Sequence, residues 1–82
     1  MPTVLRKDGF DFMIYSLDHE PSHTHVWKAG KEVVINLGDE NQRPYVRENN
    51  GVSNKNKKKA LKIAGENQAF LIAEWERFHG GT

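Results

Sequence analysis

Eighty-two residues supply one small core and leave no room for a second lobe. The chain has no cysteine, which excludes disulfide staples, thiol nucleophiles and cysteine-ligated zinc, and its net charge of +1 excludes a global field of the kind that gathers nucleic acid. A charged fraction of 28% with 10% aromatic residues is the composition of a chain that folds.

The N-terminal stretch Met1-Pro2-Thr3-Val4-Leu5-Arg6-Lys7 carries no apolar run of signal-peptide length, and no later segment approaches the roughly 20 apolar residues of a membrane span. The expected location is the cytoplasm, with no membrane partner. Thr3–Arg6 and Phe10–Tyr15 flank Lys7-Asp8-Gly9, and Asp-Gly between β-rich runs predicts a hairpin. Phe10, Phe12 and Ile14 then share one face, toward the core, with Asp11, Met13 and Tyr15 on the other. After a linker containing Asp18, Glu20, Pro21 and Ser22, a second hairpin is predicted: His23–Trp27, a turn at Lys28-Ala29-Gly30-Lys31, and Glu32–Leu37. Val33, Ile35 and Leu37 point one way along its second strand.

The polar segment Gly38–Pro44 breaks structure, and Tyr45–Glu48 reads as a short fifth strand at an edge. Ser53 is a natural N-cap for a helix running to about Phe78, stopped by Gly80-Gly81. Leu61, Ala64, Gln68, Leu71, Trp75 and Phe78 recur at three- and four-residue steps, with Ile63, Phe70 and Ile72 widening the stripe. Gly65 marks a kink or a division into two helices. The fold class is therefore α+β: one domain over residues 1–82, with a β-rich sheet of two consecutive hairpins in 1–48 and a long, kinked helical segment in 53–79. An exposed edge strand on so small a sheet allows a homodimer as well as a monomer.

The segment Asp18-His19-Glu20-Pro21-Ser22-His23-Thr24-His25 concentrates the chemistry. Residues i and i+2 of a strand share a face, so His23 and His25 place two imidazoles side by side. Such a pair serves as an acid and base near neutral pH, or chelates a first-row metal through neutral nitrogens. It also occurs on exposed strands as ordinary polar surface. His19 on the preceding loop is a third imidazole, with Asp18 and Glu20 beside it as ligands or as acceptors that fix a tautomer. His79, at the far end of the last helix, approaches the loop if that helix packs back across the sheet. Catalysis would fall to His23 and His25 with His19 and His79 assisting; a metal would take His19, His23 and His25, although no further ligand motif accompanies the pair and no cofactor is called for.

The start Met1-Pro2-Thr3, the hairpin ending in Tyr15-Ser16, the block from Asp18 to His25 and the closing Leu71-Ile72-Ala73-Glu74-Trp75 resemble the small bacterial domain of unknown function 4160 family. Its pattern is Asp-His, a proline-rich spacer and His-x-His. All three histidines are kept here, while Glu20 and Ser22 replace part of the spacer and leave its rigidity open. The resemblance implies a place beside a second small protein in a two-gene cassette of toxin–antitoxin type, and it supplies no catalytic assignment.

Lys55, Lys57, Lys58, Lys59 and Lys62 form a run of five lysines without an acid. They fall in the first turns of the predicted helix, where the positive end of the macrodipole disfavours cations. They read either as a phosphate-contacting patch for RNA or DNA, with Tyr45 and Arg47 just upstream, or as a solvated face. Trp75 belongs to the core stripe, whereas Trp27 shares the face of His23 and His25. Three readings follow: an interaction module binding a cognate small protein and, through the lysines, nucleic acid; a metal-independent ribonuclease-like enzyme; and a histidine-ligated metal-binding protein. Serine-hydrolase and P-loop motifs are absent from the sequence.

Overall fold

Two tight turns set the register of the sheet. A computed structural model describes residues 3–79. In it Asp8 and Gly9 have φ of 53° and 83°, and Ala29 and Gly30 have φ of 52° and 79°. Positive φ at both central residues is what a two-residue type I′ connection between twisted strands requires. Strands β1 (Thr3–Lys7) and β2 (Phe10–Met13) form the first hairpin, β3 (His23–Lys28) and β4 (Lys31–Asn36) the second. With β5 (Tyr45–Asn50) they make one antiparallel sheet in the order β1-β2-β3-β4-β5.

Phe10, Phe12, Ile14, Val33, Ile35 and Leu37 are fully buried, as their alternation predicts. They meet Ala60, Ile63, Ala64, Leu71 and Trp75 from the helical segment in one hydrophobic cluster. Thr24 is also fully buried, and its hydroxyl donates to Met13 O at 3.0 Å, so no polar group is stranded there.

The fifth strand is longer than the four residues expected, and it is irregular. Val34 pairs with Glu48 while Ile35 pairs with Val46, which leaves Arg47 as an extra residue opposite no partner. Such a bulge bends the strand and re-aims the side chains around it.

The helical segment is two helices, α1 (Asn54–Glu66) and α2 (Gln68–His79). Ser53 caps α1 as expected, accepting from Asn56 N at 3.2 Å. The division falls at Asn67 (φ −120°, ψ 22°) and not at Gly65, which remains inside α1. Asn67 closes α1 through its own N–H and side-chain amide, the latter on Ile63 O at 2.9 Å, and its carbonyl accepts from Leu71 N at 2.9 Å. The Arg43 guanidinium packs over Gly65, in space that a Cβ would share. Leu71 and Trp75 keep the phase of Ala60 and Ala64 across the break, and two members of the expected stripe lie outside the core. Phe70 is 45% exposed, and the Gln68 amide is shared among Leu37 O, Asp39 O and Gln42 O at 2.8–2.9 Å, tying α2 to the β4–β5 loop. The Met1-Pro2 start and the Gly80-Gly81 stop lie outside the described residues. Among the described residues, no helix is long and apolar enough to cross a membrane.

Candidate functional site

The loop between the hairpins carries Asp18 to the face where His25 projects. Tyr15 and Asp18 close a turn through Asp18 N to Tyr15 O at 3.1 Å, and the Asp18 carboxylate accepts from Tyr15 N at 3.3 Å. These bonds fix the carboxylate where β3 begins. Further on, the Glu20–Pro21 peptide is cis, and Ser22 O accepts from Leu37 N at 3.0 Å.

Three ligand-type atoms converge there. Asp18 Oδ2 lies 3.1 Å from His25 Nε2 and 3.4 Å from His23 Nε2, and all three atoms lie within 4.8 Å of one another. The other nitrogen of each imidazole is held on an acceptor: His25 Nδ1 is 2.7 Å from Glu32 Oε2, and His23 Nδ1 is 2.9 Å from Pro21 O. A carbonyl and a carboxylate can only accept, so a neutral imidazole that donates to these outer acceptors from Nδ1 turns a lone pair on Nε2 toward Asp18. Arg47 Nη1 also comes within 3.2 Å of His23 Nδ1, but a guanidinium can only donate. One nitrogen cannot serve both, and the contact to Pro21 is the shorter of the two.

The consequence is electrostatic. Two lone pairs and one anionic oxygen face a single point, an arrangement that repels itself unless a cation sits among them. Protons on both Nε2 atoms would fill that need, and so would one metal ion. The spacing suits a metal: ligand bonds of about 2.0–2.1 Å place neighbouring ligand atoms about 3.0 Å apart at octahedral cis edges and about 3.3 Å apart at tetrahedral ones. The aspartate-to-imidazole separations of 3.1 and 3.4 Å lie on either side of the tetrahedral value and slightly above the octahedral one. Glu32 and Pro21 O occupy the outer positions that orient metal-bound histidines.

The set is well packed. The His23 side chain is 5% exposed, and those of His25, Asp18 and Glu32 are 17–19% exposed. The Tyr15 ring lies 4.7 Å from that of His25, and His23 sits between His25 and Trp75 with centroids 5.2 and 5.1 Å away. Trp75 Nε1 donates to Glu20 Oε2 at 3.4 Å, tying the loop to α2. A pocket of about 310 Å³ opens over the cluster, with His19, Arg47 and Glu48 among its walls.

The sequence-derived candidates separate in space. His23 and His25 come together, with Asp18 in the place that a metal reading had given to His19; His19 is exposed on the wall of the pocket. His79 approaches the loop, stacking on Trp75 at 3.8 Å and sharing a pocket with Glu20 and Ser22, but it is not among the converging ligand atoms. Lys55, Lys58, Lys59 and Lys62 are exposed on α1, Lys57 is half-buried, and Lys58, Lys59 and Lys62 share a second pocket with Lys7.

Glu32 and Arg47 were not apparent as site residues from spacing alone. Glu32 had a signal, because the two-residue turn pairs Trp27 with Glu32 and His25 with Val34, which makes Glu32 a diagonal neighbour of His25 on the same face. Arg47 depends on the bulge, which has no comparable signature.

The family model for a domain of unknown function (DUF4160) matches residues 9–76. The chain belongs to this family. That span contains all of Asp18, His23, His25, Glu32 and Arg47, so the convergent set lies wholly within the DUF4160 domain. No curated protein and no solved structure gives a match to this chain.

Proposed function

We propose that this DUF4160 protein binds one first-row divalent metal ion, zinc-like in its ligand preference, through Asp18 Oδ2, His23 Nε2 and His25 Nε2. The observation that carries the reading is the pairing of convergence with outer support: three ligand atoms face one point while each imidazole's far nitrogen is held on an acceptor. Three protein ligands leave a coordination position open toward the pocket, the pattern of sites that take a water or a ligand in addition to the metal.

A metal-free acid–base pair fits less well. Both Nε2 atoms are turned toward the same carboxylate oxygen, which places them as a convergent set around Asp18 rather than as an acid and a base on either side of a substrate. The proposed site also departs from the sequence-based expectation that no cofactor is needed.

Titration of metal-free protein with zinc against a chromophoric chelator tests this. One equivalent should bind well below micromolar, and His25→Ala or Asp18→Ala should each weaken it by more than the roughly tenfold to 100-fold typical of losing an outer-shell partner. Circular dichroism checks that the variants are folded. Binding no tighter than that of a flexible histidine tag, or binding indifferent to Asp18, overturns the proposal.

A second reading, the cognate small-protein partner implied by the family resemblance, is favoured by Leu17. This side chain is 87% exposed and stands on the wall of the same pocket. A single exposed leucine is ordinary surface by itself, and it counts here for its place on the wall of the pocket. Co-expression with the product of the neighbouring gene should give a complex that purifies together, and failure to associate removes this reading.

A further inference from the structure

Arg47 is placed at this site by the irregularity in β5, and its charge is unspent. As the extra residue between Val46 and Glu48, it turns toward the pocket together with Glu48, whereas regular alternation would have put the two on opposite faces. Its Nη1 comes within 3.2 Å of a metal-ligating imidazole, yet that nitrogen already donates to Pro21 O. No carboxylate among the described residues forms an ion pair with Arg47. The natural partner would be Glu48, its neighbour in the chain. Glu48 is held elsewhere: Asn50 Nδ2 donates to Glu48 Oε2 at 2.9 Å and also reaches Glu32 Oε1 at 3.2 Å.

Resting on the metal reading above, we propose that the open coordination position and the Arg47 guanidinium together bind the phosphoryl group of a phosphate monoester or of inorganic phosphate. Oxygen counting supports this class. The metal takes one oxygen, and a guanidinium fork takes two in its preferred bidentate geometry. A carboxylate has two oxygens in all, and a phosphodiester has two non-ester oxygens, whereas a monoester or inorganic phosphate has at least three. Exposed His19 on the pocket wall offers a further donor to the same group.

Cobalt(II)-loaded protein provides the test, because its visible bands report first that metal is bound and then whether a new ligand reaches it. Adding inorganic phosphate or phenyl phosphate should shift those bands saturably. In Arg47→Gln the cobalt bands should persist, while the phosphate dissociation constant rises about tenfold or more, the effect of losing a charge-assisted bidentate contact. Acetate and a dinucleotide without a terminal phosphate, whose single phosphate is a diester, serve as two-oxygen controls and should bind more weakly. If cobalt bands never develop in the parent protein, both the metal site and this ligand fail. If the bands develop but phosphate shifts them equally with and without Arg47, or acetate or the dinucleotide binds as tightly as phosphate, the metal site stands and the phosphoryl assignment is overturned.

Discussion

The two charged clusters that stand out in the sequence fold into opposite kinds of surface. Around His23 and His25 each ring nitrogen faces an acceptor: two carboxylates, a backbone carbonyl and flanking rings fix the position of each imidazole. The lysines of α1 make no ion pair among the described residues, and their helix starts without an acidic residue in its first turn. The first cluster is preorganised, so its ligand-binding cost has been met in folding. The second is a set of mostly exposed charges with no such fixed partners. Dense local partners therefore mark a site, and residue type alone does not.

The largest effect expected beyond the ligands themselves comes from cutting one of those partners. Glu32→Ala leaves all three proposed ligand atoms in place and removes the acceptor 2.7 Å from His25 Nδ1. Zinc affinity should fall about tenfold to 100-fold, as for other outer-shell carboxylates on metal-bound histidines. Chelator competition measures it. An unchanged affinity would mean that the histidine face is no better organised than the lysine face, and the contrast between them would collapse.

The same contrast explains how much could be read from sequence. The strands of both hairpins, the inward faces of Phe10, Phe12 and Ile14, and the Ser53 cap follow from local rules, namely turn chemistry, period-two alternation and side-chain capping, and each stands where those rules put it. His23 and His25 share a face for the same local reason. The remainder of the cluster depends on pairings distant in the chain. Asp18 enters because a turn at Tyr15 aims it, and Glu32 because hairpin register sets it diagonal to His25. Arg47 needs a bulge whose register is decided by the whole sheet. Local rules place the break in the last helical segment at Gly65 rather than at Asn67, because they do not register the three loop carbonyls that Gln68 reaches across at least 26 residues of chain.

A smaller effect sharpens the lysine side. If Lys58, Lys59 and Lys62 contact phosphates, replacing all three with Gln should make the dependence of single-stranded RNA binding on log salt shallower by about 2, near 0.7 per contact. Fluorescence anisotropy over a salt series measures that slope. An unchanged slope assigns these residues to solvation, and zinc affinity should be indifferent in either case.

The smallest effect is the most discriminating about why the lysines are there. Ser53 caps α1, so Lys55 occupies the second helical position, where the unpaired N–H groups and the macrodipole favour an anion. Lys55→Glu should therefore raise stability by about 0.3–1 kcal/mol at low ionic strength, and added salt should erase the gain. Chemical denaturation at two salt concentrations measures it. The same substitution adds a negative charge to the basic face, so it should weaken any nucleic-acid binding while it strengthens the fold. Opposite signs in the two assays would show that the lysine run is kept at a cost to the helix, as a binding surface would be. A stability gain with no change in binding would mark the run as a solvated face, and a loss of stability would mean that Lys55 makes a favourable contact outweighing the dipole.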